Sequence, residues 1–502
     1  MRQVLVLLAL AFAAASAGPA VITPEQPGIC IYDMKWLDIN NWLCVFHNDG
    51  RYGYDPTAGG GEAGGSWPQP FRNYYVFGAG FWFGGLKPRP GGGTDTLVSF
   101  GYNPNAGNTE LSPYASRHRH DPPDSLDRVY AYPEDWPPPA ERWPDVDTSL
   151  VPQVAKSDRD MWCVYSDVGE AEHIPPGYPL DFEVYQTVYA WAHRSVEDIF
   201  FLCWKVRNTG GDTLRDCYVG AVFDPDIGEH SDDMLGLLLA DSVHLGGGEY
   251  VVVRDVGYAG DFDNHEVANP RGQWEEGTPG VVACKFLEGP RLDPARPRGP
   301  NNRLGLTSFK MFSIEVDPVT DPAQYLTMAG YDYRTLVYSP FDSIDLAPAD
   351  KRFLMSSGPF DLAPGQVEVL ALAVIAAPYG GWGQSWWDRR FRYNDSLHHL
   401  ARLVLAAEEV HDRGWMIAVE EPGPTRPGPL ARLPAVIRGS LFLPPGPGTR
   451  AVLLDPAGRK VLALAPGEND VSHLAPGVYF VRTVLWERSP DRDWVHKVVI
   501  QR

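Results

Sequence analysis

At 502 residues, the chain is too long for one ordinary domain, and its 44% hydrophobic content is enough to build real cores, which excludes wholesale disorder. Glycine (51), proline (47) and 12% aromatic residues suit a β-rich chain with many turns. The formal net charge of −21 argues against binding to a polyanion, so no nucleic-acid partner is expected.

The chain opens with Arg2, an uncharged apolar run from Val4 to Ala15, and the small-residue site Ala15-Ser16-Ala17 followed by Gly18-Pro19. This three-part pattern predicts a secretory signal peptide over 1–17. Its apolar run is too short to span a bilayer, so the mature protein is expected to be soluble and extracytoplasmic. Residues 18–154 follow as a Gly/Pro/aromatic-rich β region, with strands expected at Val76–Leu86 and Thr96–Tyr102.

Residues 155–418 read as a β-sandwich body. Strands are expected at Met161–Ser166, Phe182–Ala192, Ile199–Val206, Cys217–Phe223, Tyr250–Val256, Val281–Leu287, Thr307–Val316 and Val367–Ala377. Strands at this spacing, with no helices between them, predict an antiparallel sandwich. One helix is expected over 395–413. Asn394 or Asp395 would cap it, Leu397, Leu400, Ala401, Val404, Ala407 and Val410 would form its apolar face, and Gly414 would end it. His398 and His399 are expected on its solvated face.

A linker is expected at 419–434, where prolines 422, 424, 427 and 429 rule out helix and central strand. A last domain over 435–502 carries nine Lys/Arg and six Asp/Glu, whereas 18–434 is strongly acidic, which supports a boundary. It reads as a small β-sandwich: strands at Ala435–Leu443, Ala451–Leu454 and Lys460–Leu464, turns at Asp455–Arg459 and Gly467–Asp470, a strand running into Arg482, and an edge strand from Lys497 to Arg502. The expected fold class is therefore all-β, mainly antiparallel β-sandwich, with one helix and a small C-terminal sandwich.

Of the six cysteines, Cys203 and Cys217 sit on strand-like segments either side of Asn208-Thr-Gly-Gly-Asp212. A hairpin about Gly210 would set them opposite each other, as a cross-strand disulfide or as two small apolar neighbours. No nucleophile elbow, zinc-protease helix, phosphate loop or catalytic-cysteine signature is present. His118-Arg-His120 reads as a polar loop, and Trp382, Trp386, Trp387, Tyr74 and Tyr75 as core aromatics or a sugar-stacking platform. Two acidic turns stand out: Asp224, Asp226, Asp232 and Asp233, then Asp261, Asp263, Asn264 and Glu266. Aspartates crowd turns for solubility, but one such turn folded on the other would offer calcium its oxygen ligands. The candidate calcium set is Asp224, Asp226, Asp232, Asp233, Asp261 and Asp263.

The C-terminal segment carries three spaced motifs in order: Asp455, Gly458, Arg459 and Val461; then Leu474, Gly477, Tyr479 and Arg482; then Lys497, Val498 and Val499. This order resembles the C-terminal sorting domain of cargo of the bacterial type IX secretion system. The family's usual leading proline-asparagine-proline motif is missing; Leu433-Pro434 and Pro444-Pro445 are the nearest substitutes. In the middle region, Asn208-Thr-Gly, Tyr218-Val-Gly, Asp224-Pro-Asp-Ile-Gly228 and Asp232-Asp233 resemble a β-domain of unassigned function in other secreted cargo of this kind. The resemblance implies export through the periplasm to the medium or the outer cell surface. It implies the type IX machinery as a partner, and surface polysaccharide or other envelope components as further ones. The function expected is that of a non-enzymatic structural, adhesive or envelope-associated protein. The alternatives are a secreted hydrolase of polysaccharide or peptide, and a carbohydrate-binding module.

Overall fold

The computed structural model describes the chain outside residues 1–31, 58–60, 90, 114–127, 141–145, 169–172, 174–176, 247, 264, 269–272, 276, 344, 346, 379–396, 418–435, 438, 444–448, 456–458, 466, 486–494 and 501–502. The signal segment, His118-Arg-His120, Trp382, Trp386, Trp387, the expected helix caps Asn394 and Asp395, and the linker lie outside the described residues. Two compact units divide the chain, Met1–Ile417 and Ala418–Arg502.

The first unit is built on thirteen main strands among the described residues. These are β1 (Leu43–His47), β2 (Gly78–Pro88), β3 (Thr94–Phe100), β4 (Arg159–Ser166), β5 (Phe182–Ala190), β6 (Ile199–Asn208) and β7 (Leu214–Asp224), followed by β8 (Asp233–Gly246), β9 (Glu249–Asp261), β10 (Val281–Glu288), β11 (Ser308–Ser313), β12 (Lys351–Leu362) and β13 (Val367–Ala377). They form two antiparallel sheets. One runs β11-β12-β7-β2 and continues through short strands to β1, with β3 beside β2; the other runs β4-β5-β6-β13-β10-β9-β8. The boundary expected at residue 154 is not structural, because β2 pairs directly with β7 across it.

Side-chain alternation explains the layering. On β6, Phe200, Leu202, Trp204 and Val206 enter the core between the sheets, while Ile199, Phe201 and Cys203 face the opposite way into a second core. β13 does the same with Leu370, Leu372, Val374 and Ala376 on one face and Ala371, Ala373, Ile375 and Ala377 on the other. Period-2 side chains buried on both faces give the continuous apolar runs seen in sequence. The second core is closed by helix α2 (His398–Asp412), which buries Leu400, Ala401, Val404, Ala407 and Val410 and stops at Gly414 with φ +69°. A shorter helix absent from the sequence reading, α1 (Asp321–Met328), packs Met328 against Trp82, Val98, Phe100 and Leu354 on the outer face of the other sheet. Thr320 caps it, with proline in its first turn. His399 is half-buried rather than fully solvated, and burial lowers its pKa to about 4.

The expected β6–β7 hairpin does not form. Cys203 lies opposite Thr187 and Ala371 in one sheet, whereas Cys217 lies opposite Phe360 in the other. The segment after Asn208 crosses the sandwich: Thr209 and Gly210 donate their N–H groups to the Asp181 carbonyl, and the Asn208 amide donates to the Leu362 carbonyl. Cys203 and Cys217 are therefore free buried thiols, as are Cys44, Cys163 and Cys284.

The second unit holds β14 (Ser440–Leu443), β15 (Thr449–Leu454), β16 (Lys460–Leu464), β17 (Gly467–Asp470), β18 (Gly477–Leu485) and β19 (Val495–Ile500). A five-stranded sheet runs Val436–Ile437, β19, β18, β15, β16, and β14 pairs with β17. Leu441, Ala451, Leu453, Leu464, Val471, Val481, Val498 and Ile500 fill its core. Two expectations are corrected here. Residues 467–470 form a strand against β14 rather than a turn, and β19 is not an edge, because Val436–Ile437 pairs with its free side in parallel.

Candidate metal centre

The acidic turns do come together, and the sheet register does it. Asp233 opens β8 and Asp261 closes β9, and the two are cross-strand partners. Asp224 ends β7, where Phe223 pairs with Phe353, so Arg352 arrives beside it at the start of β12. The Arg352 Nε sits 3.1 Å from Asp224 Oδ1, and its Nη1 contacts Asp350. The Tyr102 hydroxyl donates to Asp224 Oδ2 at 2.8 Å. That contact requires Gly78, where a Cβ would fall 2.3 Å from the Tyr102 ring.

The carboxylates sort into two groups whose ligand atoms lie within 4.8 Å of one another: Asp224, Asp226 and Asp350, and Asp232, Asp261 and Glu266. Charges from both groups act on Asp233: Asp226 from the first, Asp261 and Asp232 from the second. Its Oδ2 accepts from the Ile227 N–H at 3.1 Å, while its buried Oδ1 accepts nothing. Glu266 reaches the second group over Gly228, which has φ +69° and where a Cβ would meet the Glu266 carboxyl at 2.2 Å. The Glu229 N–H donates to Glu266 Oε1 at 2.8 Å, and the His265 N–H to Asp261 Oδ1 at 3.0 Å.

Burial, more than any neighbour, drives the proton affinities here. It pushes Asp224 up against the opposing pull of Arg352, and raises Asp226 and Asp233 far above the carboxylate range with help from neighbouring aspartates. Glu266 is pushed up to about 8 by burial and then by Asp261, Asp232 and Glu229. Asp263, the sixth residue of the expected set, enters only as a charge acting on Asp232. Sequence reading missed Asp350 and Arg352, because the strand carrying Arg352 was not foreseen, and Tyr102, which has no sequence signal.

In the second unit, the sorting-motif residues have local jobs. Arg459 closes its turn by pairing with Asp455 at 2.8 Å while its own N–H donates to Asp455 Oδ1, and the Asp455 N–H returns to the Arg459 carbonyl. Tyr479 is buried, with its hydroxyl donating to the Ala475 carbonyl at 2.9 Å, and Leu474 packs on the core. Gly477 opens β18 in open space, where a Cβ would meet no atom closer than 3.8 Å. Gly458 and the side chains of Arg482 and Lys497 lie outside the described residues.

A cavity of about 360 Å³ lies by α1, lined by Lys310, Phe312, Tyr331, Tyr333, Arg334 and Asp342 among others. Its charges are internally paired, Lys310 with Asp342 at 2.6 Å and Arg334 with Asp332 at 3.3 Å. Tyr75 is a core residue, packed between Trp67 and Trp274, so it cannot join a sugar-stacking surface. Among the described residues no helix is long and apolar enough to cross a membrane.

No known family profile matches the chain, and no curated protein matches it. Among solved structures, one from Escherichia coli K12, named only provisionally as an aldose 1-epimerase, aligns over 45% of this chain and 69% of its own at 12% identity and a TM-score of 0.18.

Proposed function

We propose that this is a non-enzymatic structural, adhesive or envelope-associated protein of the outer cell surface or medium, exported through its C-terminal unit by the type IX route. The observation that carries this reading is the ordered run of Asp455–Arg459, Leu474–Arg482 and Lys497–Val499 motifs, falling within one compact β unit at the chain's end. The signal segment at 1–17 supplies the first step, across the inner membrane. A hydrolase would need a cleft with an unpaired acid near a second carboxylate. In the cavity by α1, Asp332 and Asp342 are each already held by a cation, so that cavity offers no such pair.

The test is deletion of 435–502 in the native host. The truncated chain is expected to accumulate in the periplasm while the full chain reaches the surface or medium. Normal export of the truncated chain would contradict the assignment.

A further inference from the structure

We infer that the acidic belt at the end of the sandwich is a two-ion calcium centre. One ion is held by Asp224, Asp226 and Asp350, the other by Asp232, Asp261 and Glu266. This goes beyond the export reading and does not depend on it.

Clustered acids alone would not carry the inference, because exposed carboxylates tolerate one another in water. Two observations do. Asp226 is only 9% exposed, yet its carboxylate makes no hydrogen bond and no ion pair with the described residues. Asp233 is fully buried with one oxygen facing no donor. A buried, unpartnered carboxylate costs several kcal/mol unless something compensates it. Arg352 supplies a single positive charge to the first group and already serves Asp224 and Asp350. In the second group, the charges acting most strongly on Glu266 are those of Asp261, Asp232 and Glu229, all of them negative.

The donor chemistry selects the ion. Both groups offer only oxygen, with no Cys or His among them. Calcium binds oxygen at about 2.3–2.6 Å, so two of its ligands can lie up to about 5 Å apart. Ligand atoms within 4.8 Å of one another therefore fit a shared calcium. Magnesium, with bonds of about 2.1 Å and a strict octahedral geometry, would require a tighter and more regular cage. The centre would tie the β7–β8 connection to the end of β9, adding to the Phe262 N–H bond to the Asp232 carbonyl and the Glu229 N–H bond to Glu266.

The probe is calcium itself, titrated calorimetrically into the full mature chain after chelation, with magnesium as control. Two calcium ions per chain are expected. At a hundredfold excess over Kd the melting temperature should rise by roughly 5–10 °C over that in chelator. Asp226→Asn should leave one ion and Glu266→Gln should leave one, each with unchanged far-ultraviolet circular dichroism. No saturable calcium binding by the wild type, or a stoichiometry untouched by both variants, would overturn the inference. A wild type that binds only one ion, with that ion lost in both variants, would overturn its two-ion form.

Discussion

Two regions of the sandwich bury carboxylates, and they do it in opposite ways. Beside α2, Glu288 and Glu368 are almost wholly enclosed, and the chain surrounds them with its own cations. Glu368 takes Arg291 at 2.8 Å and Arg298 at 2.6 Å, and Glu288 takes Arg298 at 3.0 Å and Arg303 at 2.8 Å. At the end of the sandwich, Asp224, Asp226, Asp233 and Asp261 are as deeply buried, and Arg352 is the one guanidinium paired with Asp224 among the described residues. A fold able to place three arginines around two glutamates in one place had the means to neutralise the other. Leaving Asp226 without a partner makes physical sense if the missing positive charge comes from solution.

This contrast can be broken experimentally. The largest effect is expected from Arg352→Met. In chelator it leaves Asp224 and Asp350 uncompensated and should cost about 3–5 kcal/mol in a denaturation curve. In saturating calcium the cost should shrink, and an equal cost in both conditions would place the compensation in the protein alone. Glu368→Ala should cost about 3 kcal/mol, because it strands the partly buried Arg291 guanidinium and takes one of the two carboxylates of Arg298. That loss should be identical with and without calcium, since the Glu288–Glu368 cluster is complete in itself.

A third buried acid sharpens the comparison with a smaller effect. Asp167 is fully enclosed and accepts from the Leu180 and Phe182 N–H groups and the Ser99 hydroxyl. Burial still outweighs those donors and raises its pKa to about 6. A raised acid pKa means the folded chain holds the proton more tightly than the unfolded chain. Its stabilising contribution is present below about pH 4 and is lost as pH rises towards 6, by less than about 3 kcal/mol. The difference in pH slope between wild type and Asp167→Asn across that window would measure it; equal slopes would show that the backbone donors hold Asp167 ionised throughout.

What the sequence disclosed follows from how each element is stabilised. β6, β10 and β13 were legible because both of their faces are buried, which writes an unbroken apolar run. The apolar stripe of α2 was legible for the same reason at a helical period. β8 was not, because Gly236, Asp241, Ser242 and His244 interrupt its pattern along a sheet edge. β12 was hidden behind Lys351 and Arg352 at its start and Ser356, Ser357, Gly358 and Pro359 in its middle. The Asn208–Asp212 segment has the composition of a hairpin turn, and the same residues serve equally well to cross between sheets. For the site, aspartate clustering located two of the three converging segments. Asp350 and Arg352 could be found only through the pairing of β7 with β12, a long-range contact with no local signature.

The most direct test of the central claim is the melting temperature of Asp226→Asn against wild type, measured in chelator and in saturating calcium. Without the ion, wild type must either bury the Asp226 charge or take up a proton to neutralise it, and the amide avoids that cost, so the variant should melt a few degrees higher than wild type. With the ion, it removes a ligand, so the variant should melt lower. A shift of the same sign in both conditions would show that Asp226 faces no cation, and would contradict the account.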